Sequence, residues 1–193
     1  MSLRRLAVSA ACALLLHTPA TAQGPSVRIH TGLGDIIMVV DTVHAPATSA
    51  NFLRYVDAGM YTGGSFHRTV TPGNQPNNAV KIEVIQAGRD TVRGSDFAAI
   101  PLERTSASHL KHIDGTVSMA RGGPDTATSD FFICIGNQPE LDFGGKRNPD
   151  GQGFAAFGQV TSGMDVVRRI QQSPAQGQAL TPAIVIVSIE RVR

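Results

Sequence analysis

The residues best suited to do chemistry come in short blocks rather than in one of the common catalytic signatures. Phe66-His67-Arg68 sets a fixed cation beside a titratable ring, and Gln86-Ala87-Gly88 follows. Gly115-Thr116-Val117-Ser118-Met119-Ala120 then runs on through Gly123-Pro124 to Ser129-Asp130-Phe131-Phe132-Ile133. Arg68 is the only fixed charge in its block. A guanidinium keeps its charge at any working pH, and its planar fork fixes the direction of its hydrogen bonds. Such a group suits chemistry done by charge and donor placement, without a covalent intermediate. Competing signatures fall away. Gly32-Leu33-Gly34 lacks the third glycine and the following helix of a phosphate-binding loop. His109 and His112 lie close in sequence, but no Cys or third His completes a zinc set, so both are expected at the surface. No G-x-S-x-G nucleophile elbow occurs.

The elements that must position these blocks are mostly strands. β-rich runs span Val27 to Thr31, Asp35 to Val40, Val80 to Gln86, Thr116 to Ala120, Asp130 to Ile135, Ala155 to Val160 and Ile184 to Val192. Gly, Pro, Asn and Asp separate them, as in an antiparallel sheet joined by turns, with Thr31-Gly32-Leu33-Gly34 turning the first hairpin. Two stretches have helical period instead. From Pro46 to Asp57, proline suits the first turn and Gly59 the C-terminal cap. From Ser162 onward, Ser162 and Asp165 have capping-box spacing, and the helix must stop before Pro174. Many strands with two helices predict a closed barrel whose ends the helices cover. Two polar loops, Thr71 to Ala79 and Phe143 to Gly153, are too rich in Gly, Pro and Asn to continue a strand.

Composition narrows the compartment and the partners. Arg4 and Arg5, an apolar run from Leu6 to Leu16, and Ala20-Thr21-Ala22 have the order of a secretory signal peptide over residues 1–22. The remaining 23–193 fits one domain. The leader holds two of the 17 basic residues, so the rest balances the 15 acidic ones. Near-zero charge argues against a sequence-blind nucleic-acid or anionic-membrane binder. A monomer in the periplasm or medium is expected. Cys134 is the one cysteine past the leader, and its apolar setting predicts a buried, inert thiol.

Taken in order and spacing, Phe66-His67-Arg68, Gln86-Ala87-Gly88, Gly115 to Ala120, Ser129 to Ile133 and Phe157-Gly158-Gln159-Val160 resemble the cyclophilin signatures, over nearly all of Val27 to Val192. The resemblance implies a mainly β fold, an eight-stranded antiparallel barrel capped by two α-helices, with peptidyl-prolyl cis-trans isomerase activity at a groove on its side. It implies Arg68 as the main catalytic residue, with Gln86 and Phe132. It places Leu141 and Phe154 in the groove, Ala120 and Arg121 along the substrate backbone, and His67 beside the site. The partners implied are proline-containing polypeptide clients, and the reaction requires no metal or cofactor.

The chain departs from the family at several positions. Glu83 stands where an aromatic is usual, Asp130 where glutamine is, and Glu140 where many members carry tryptophan. These carboxylates are expected near the groove, where they would reduce catalytic efficiency and cyclosporin binding. A second reading, a module that grips proline segments with little turnover, therefore stands beside the enzyme. A barrel with no groove ligand is disfavoured by Gln86 and Phe132.

Overall fold

Val27, Ile29 and Thr31 alternate with Arg28 and His30, and that period of two sends the first three inward and the others out. In the computed structural model, which describes residues 24–192, this run is strand β1 (Ser26–Thr31). It turns at Gly32 and Leu33 into β2 (Gly34–Val40), with Thr31 opposite Gly34. Further strands are β3 (Ser65–Val70), β4 (Val84–Gly88), β5 (Thr116–Met119), β6 (Phe131–Cys134), β7 (Ala155–Ser162), the two-residue β8 (Ala175–Gln176) and β9 (Ala179–Arg191). Around the barrel the order is β1-β2-β7-β5-β6-β4-β3-β9, and β9 pairs back onto β1. Eight antiparallel strands thus close without a free edge, as expected. β8 pairs only with β9.

Three differences from the sequence pattern have local causes. β3 does not stand out as an apolar run because its middle, His67 and Arg68, is polar. Residues 80–83 are irregular rather than strand. The helix after β7 begins at Met164, with Gly163 at its N-cap in a left-handed conformation (φ 91°), so the Ser162–Asp165 capping box does not form. A Cβ on Gly163 would overlap the carbonyl oxygen of Asp35, which excludes larger residues there. Asp165 instead pairs with Arg169, one turn on, at 2.9 Å.

Helix α1 (Pro46–Asp57) has proline in its first turn and Gly59, at φ 64°, just past its end. A single-turn α2 (Thr105–Ser108) adds to the two expected helices, and α3 (Met164–Gln171) stops before Pro174. α1 drives Phe52 into the barrel, edge-on to Phe131 and tilted against Phe157. α3 buries Val166, Val167 and Ile170. Tyr61, fully buried, donates its hydroxyl to the carbonyl of Ser129 at 2.6 Å, which satisfies the polar end of an otherwise apolar ring. The leader assigned to residues 1–22 lies outside the described residues. Among the described residues no helix is long and apolar enough to cross a membrane.

A bulge in β3 decides which side chains leave the barrel. Along β3 and β4, Phe66 lies opposite Ala87 and Arg68 opposite Gln86, so His67 is an extra residue without a partner. Strict alternation would put Phe66 and Arg68 on the same, inward face. The bulge shifts the phase by one: Phe66 stays in the core, while Arg68 and Val70 face out.

Candidate functional site

The outward faces of β3, β4 and β6 carry a second apolar cluster on the barrel wall. Val70, Ile82, Val84, Phe132, Cys134 and Leu141 form it, with Ala120 and Phe154 packed against it. All four residues of β6 are buried, because Phe131 and Ile133 face the barrel interior while Phe132 and Cys134 face this cluster. Burial pushes the Cys134 thiol pKa far up, so it is the inert group expected. Above the cluster opens a cavity of about 430 Å³ lined by Arg68, Gln86, Ala120, Arg121, Phe132, Leu141 and Phe154, among others. Of the residues expected at the site, His67 alone stays outside the lining, because it is the bulge residue.

Arg68 is held by two glutamines. Gln178 Oε1 accepts from its Nε at 2.9 Å and its Nη2 at 2.7 Å, and Gln86 Oε1 accepts from Nη1 at 2.9 Å. That occupies three of the five guanidinium N–H groups and leaves two for the groove. Gln86 is oriented in turn, since its Nε2 donates to Asp130 Oδ2 at 3.0 Å. His67 Nε2 lies 3.6 Å from the same carboxylate oxygen. Gln178 donates to the carbonyl of Asn74 at 3.1 Å. Burial, and then the positive charge of Arg147, lower the Arg68 pKa, although a guanidinium this basic stays charged.

The floor is held from below. Phe132 is 5% exposed, stands edge-on to Phe154, and stacks on His112 with ring centroids 6.0 Å apart. His112, expected at the surface, is buried. Its ring nitrogens reach Asp142 Oδ1 at 2.8 Å and Ser118 Oγ at 3.0 Å, which satisfies both. Burial raises the Asp142 pKa, but hydrogen bonds and charge from His112, with charge from Lys111, outweigh that and hold it below the usual carboxylate range. Leu141 is tied to Phe154 through a backbone bond of 3.0 Å.

Arg121 lines the cavity, but its donors are engaged elsewhere. Its fork grips both carboxylate oxygens of Asp150, at 2.8 and 3.0 Å, and two of its nitrogens donate to the carbonyl of Gly153. The side chain therefore fastens the Asp150–Gly153 loop rather than presenting free donors. The expectation of three carboxylates near the groove is also corrected. Glu83 turns to α3, accepting from Gln171 Nε2 at 3.0 Å, and Glu140 accepts from the backbone N–H of Lys146 at 2.8 Å. Neither lines the cavity, and only Asp130 of the three does.

Several groove residues escape a reading of the sequence. Ile82 and Val84 line the cavity and belong to its apolar cluster, on either side of Glu83. Their alternation with Lys81, Glu83 and Ile85 is the available signal. Gln178 gives none, because it reaches Arg68 across 110 residues of chain. Arg147 lies in a stretch that composition marks only as loop.

Comparison with known proteins finds a family and relatives that this chain is similar to. The family described as Cyclophilin type peptidyl-prolyl cis-trans isomerase/CLD matches residues 26–191. Peptidyl-prolyl cis-trans isomerase A of Dickeya dadantii (strain 3937) is 35% identical over 177 residues, which cover 89% of this chain and 86% of that one. Peptidyl-prolyl cis-trans isomerase-like 3 of Mus musculus is 32% identical over 161 residues, covering 81% and 88%. A crystal structure of a Cryptosporidium parvum cyclophilin superposes with a TM-score of 0.70 at 24% identity, covering 88% of this chain and 98% of that one. The same parasite protein was also solved in the presence of the dipeptide Ala-Pro.

Proposed function

Because the chain belongs to the cyclophilin-type peptidyl-prolyl cis-trans isomerase family, we propose that it accelerates rotation about X–Pro bonds of exported polypeptides at the Arg68 groove. The observation that carries the site assignment is a guanidinium with two donors left free, standing at the rim of an apolar floor.

An X–Pro bond rotates slowly because the proline nitrogen shares its lone pair with the carbonyl, giving a barrier of about 20 kcal/mol. A donor aimed at that nitrogen as it pyramidalises localises the lone pair and lowers the barrier. One charge-assisted hydrogen bond contributes about 1.5–3 kcal/mol, or about 10- to 150-fold in rate. The floor adds to this. A planar amide is more polar than a twisted one, so a proline ring on Phe132, Leu141, Ile82 and Val84 favours the twist. Gln86 orients the peptide and Arg68 together. Every step belongs to side chains of this chain.

A protease-coupled isomerase assay on Ala-Xaa-Pro-Phe peptides tests the activity. Saturable acceleration that Arg68→Ala removes supports it. Tight peptide binding without acceleration would instead make the protein a binding module. Export rests on the order of residues 1–22, and mass spectrometry of the mature protein should find an N-terminus near Gln23. An intact Met1 form as the main cytosolic species would reject export.

A further inference from the structure

A second guanidinium faces the groove. Arg147, half-buried in the loop between Leu141 and β7, lines the same cavity as Arg68. Its Nη1 donates to the carbonyl of Val80 at 2.7 Å, joining the two long loops beside the floor. Among the described residues that is its one side-chain hydrogen bond, and it forms no ion pair there. The neighbouring carboxylates are engaged otherwise: Asp150 with Arg121, Glu140 with the Lys146 N–H, Asp130 with Gln86.

The charges in the cavity do not cancel. Among the described residues, Arg68, Arg121 and Arg147 line it, and Asp130 is the one carboxylate that does. Asp150 neutralises Arg121, which leaves Arg68 and Arg147 against Asp130, an excess of one positive charge. Burial lowers the basicity of Arg147, and that of Arg68 is lowered by burial and by Arg147's charge. Two like charges share a partly desolvated space, and an anionic group entering it would meet unused donors and relieve the repulsion.

Resting on the isomerase reading, we propose that Arg147 is a specificity-determining residue that selects segments with an Asp or Glu close to the proline. A sphere of the cavity's volume is roughly 9 Å wide, while extended chain advances about 3.4 Å per residue. An acidic side chain within two residues of the proline can therefore reach Arg147 while the ring rests on Phe132.

The test compares short peptides with Glu, Ala or Lys immediately before the proline, and a second set with the same changes immediately after it. Exchange rates are read by NMR, so that no coupling protease adds its own charge preference, and affinities are measured on the same peptides by titration. In one of the two sets Glu should exceed Lys in kcat/KM by about tenfold at low salt, the low end for a charge-assisted bond. The ratio should shrink in 1 M NaCl, where the screening length is about 3 Å. Arg147→Gln should bring the ratio close to unity, and Arg147→Lys should keep part of it. A ratio near unity in the unmodified protein would overturn the proposal, as would an unchanged ratio in Arg147→Gln. Equal loss in the Gln and Lys variants would assign the effect to the Val80 tether and overturn it too. If no peptide is turned over, the isomerase reading fails, and the affinity ratios still decide the role of Arg147.

Discussion

Phe131 and Phe132 are neighbours in sequence and belong to different structures. Phe131 lies in the barrel interior, fully buried, with Phe52, Tyr61 and Phe66 edge-on around it at 5.5–6.1 Å. Phe132 lies on the outer wall, with Phe154 at its edge, His112 behind it and the cavity in front. A closed barrel covers its interior from every side, so a residue there contributes to stability alone. The wall cluster is covered from one side, and its open side is the groove. It has to hold the fold and a substrate with the same atoms.

The sharpest separation comes from truncating each ring. Phe131→Ala should cost up to about 5 kcal/mol, the upper end for a buried phenylalanine, while activity per folded molecule is unchanged. Phe132→Ala should cost nearer 3 kcal/mol, because fewer side chains pack against it, yet lower both peptide affinity and turnover. Denaturant melts paired with activity normalised to folded protein would tell them apart. Equal activity in the two variants would erase the distinction between the regions.

Arg68→Ala isolates the rim from the floor. Turnover should fall by at least about tenfold with no change in melting temperature, and Arg68→Lys should fail as well, because a single ammonium nitrogen cannot reproduce the planar fork that spans both glutamines while facing the substrate. Gln178→Ala, a positioning change that removes two hydrogen bonds to Arg68, should lower kcat by at least about twofold, the low end for a single bond, with KM nearly unchanged. A rise in KM alone would place Gln178 against the peptide instead.

The wall should also add an acid-side pH dependence through Asp142. The folded Asp142 carboxyl is held below its ordinary value, so its contribution is complete above about pH 4 and is lost as pH falls through the folded pKa. Melting temperatures between pH 3 and pH 7 should decline on the acid side, and Asp142→Asn should flatten part of that decline, the rest coming from carboxyls such as Asp41 and Asp96 that are also held low.

The interior is readable in the sequence because alternation and β-branching mark a strand with one dry face. Val27 to Val40 and Ala155 to Val160 come out at nearly their observed bounds for that reason. The wall is harder. Phe132, Leu141 and Gln86 are reached through resemblance, whereas Ile82 stands in an irregular stretch where a strand is expected, and Val84 only begins the strand that follows. His112 reads as a surface residue because its partners, Ser118 and Asp142, are polar residues in separate segments, and only the fold shows that the three meet. Gln178 and Arg147 lie in turns and loops, where local pattern says nothing about what a side chain will touch.

The unpaired His67 makes the length of β3 a matter of parity. Residues before it are read in one frame, with Phe66 to the core, and residues after it in the other, with Arg68 and Val70 to the groove. Deleting His67 would bring Phe66 next to Arg68, and plain alternation would still send Phe66 to the core and Arg68 and Val70 to the groove, so the bulge can be lost without turning a side chain over. Deleting Thr69 instead would bring Val70 directly after Arg68 and turn it away from the groove wall. A single-residue deletion scan through Ser65–Val70, read by melting temperature and turnover, should therefore show the smallest loss at His67 and larger losses at the paired positions.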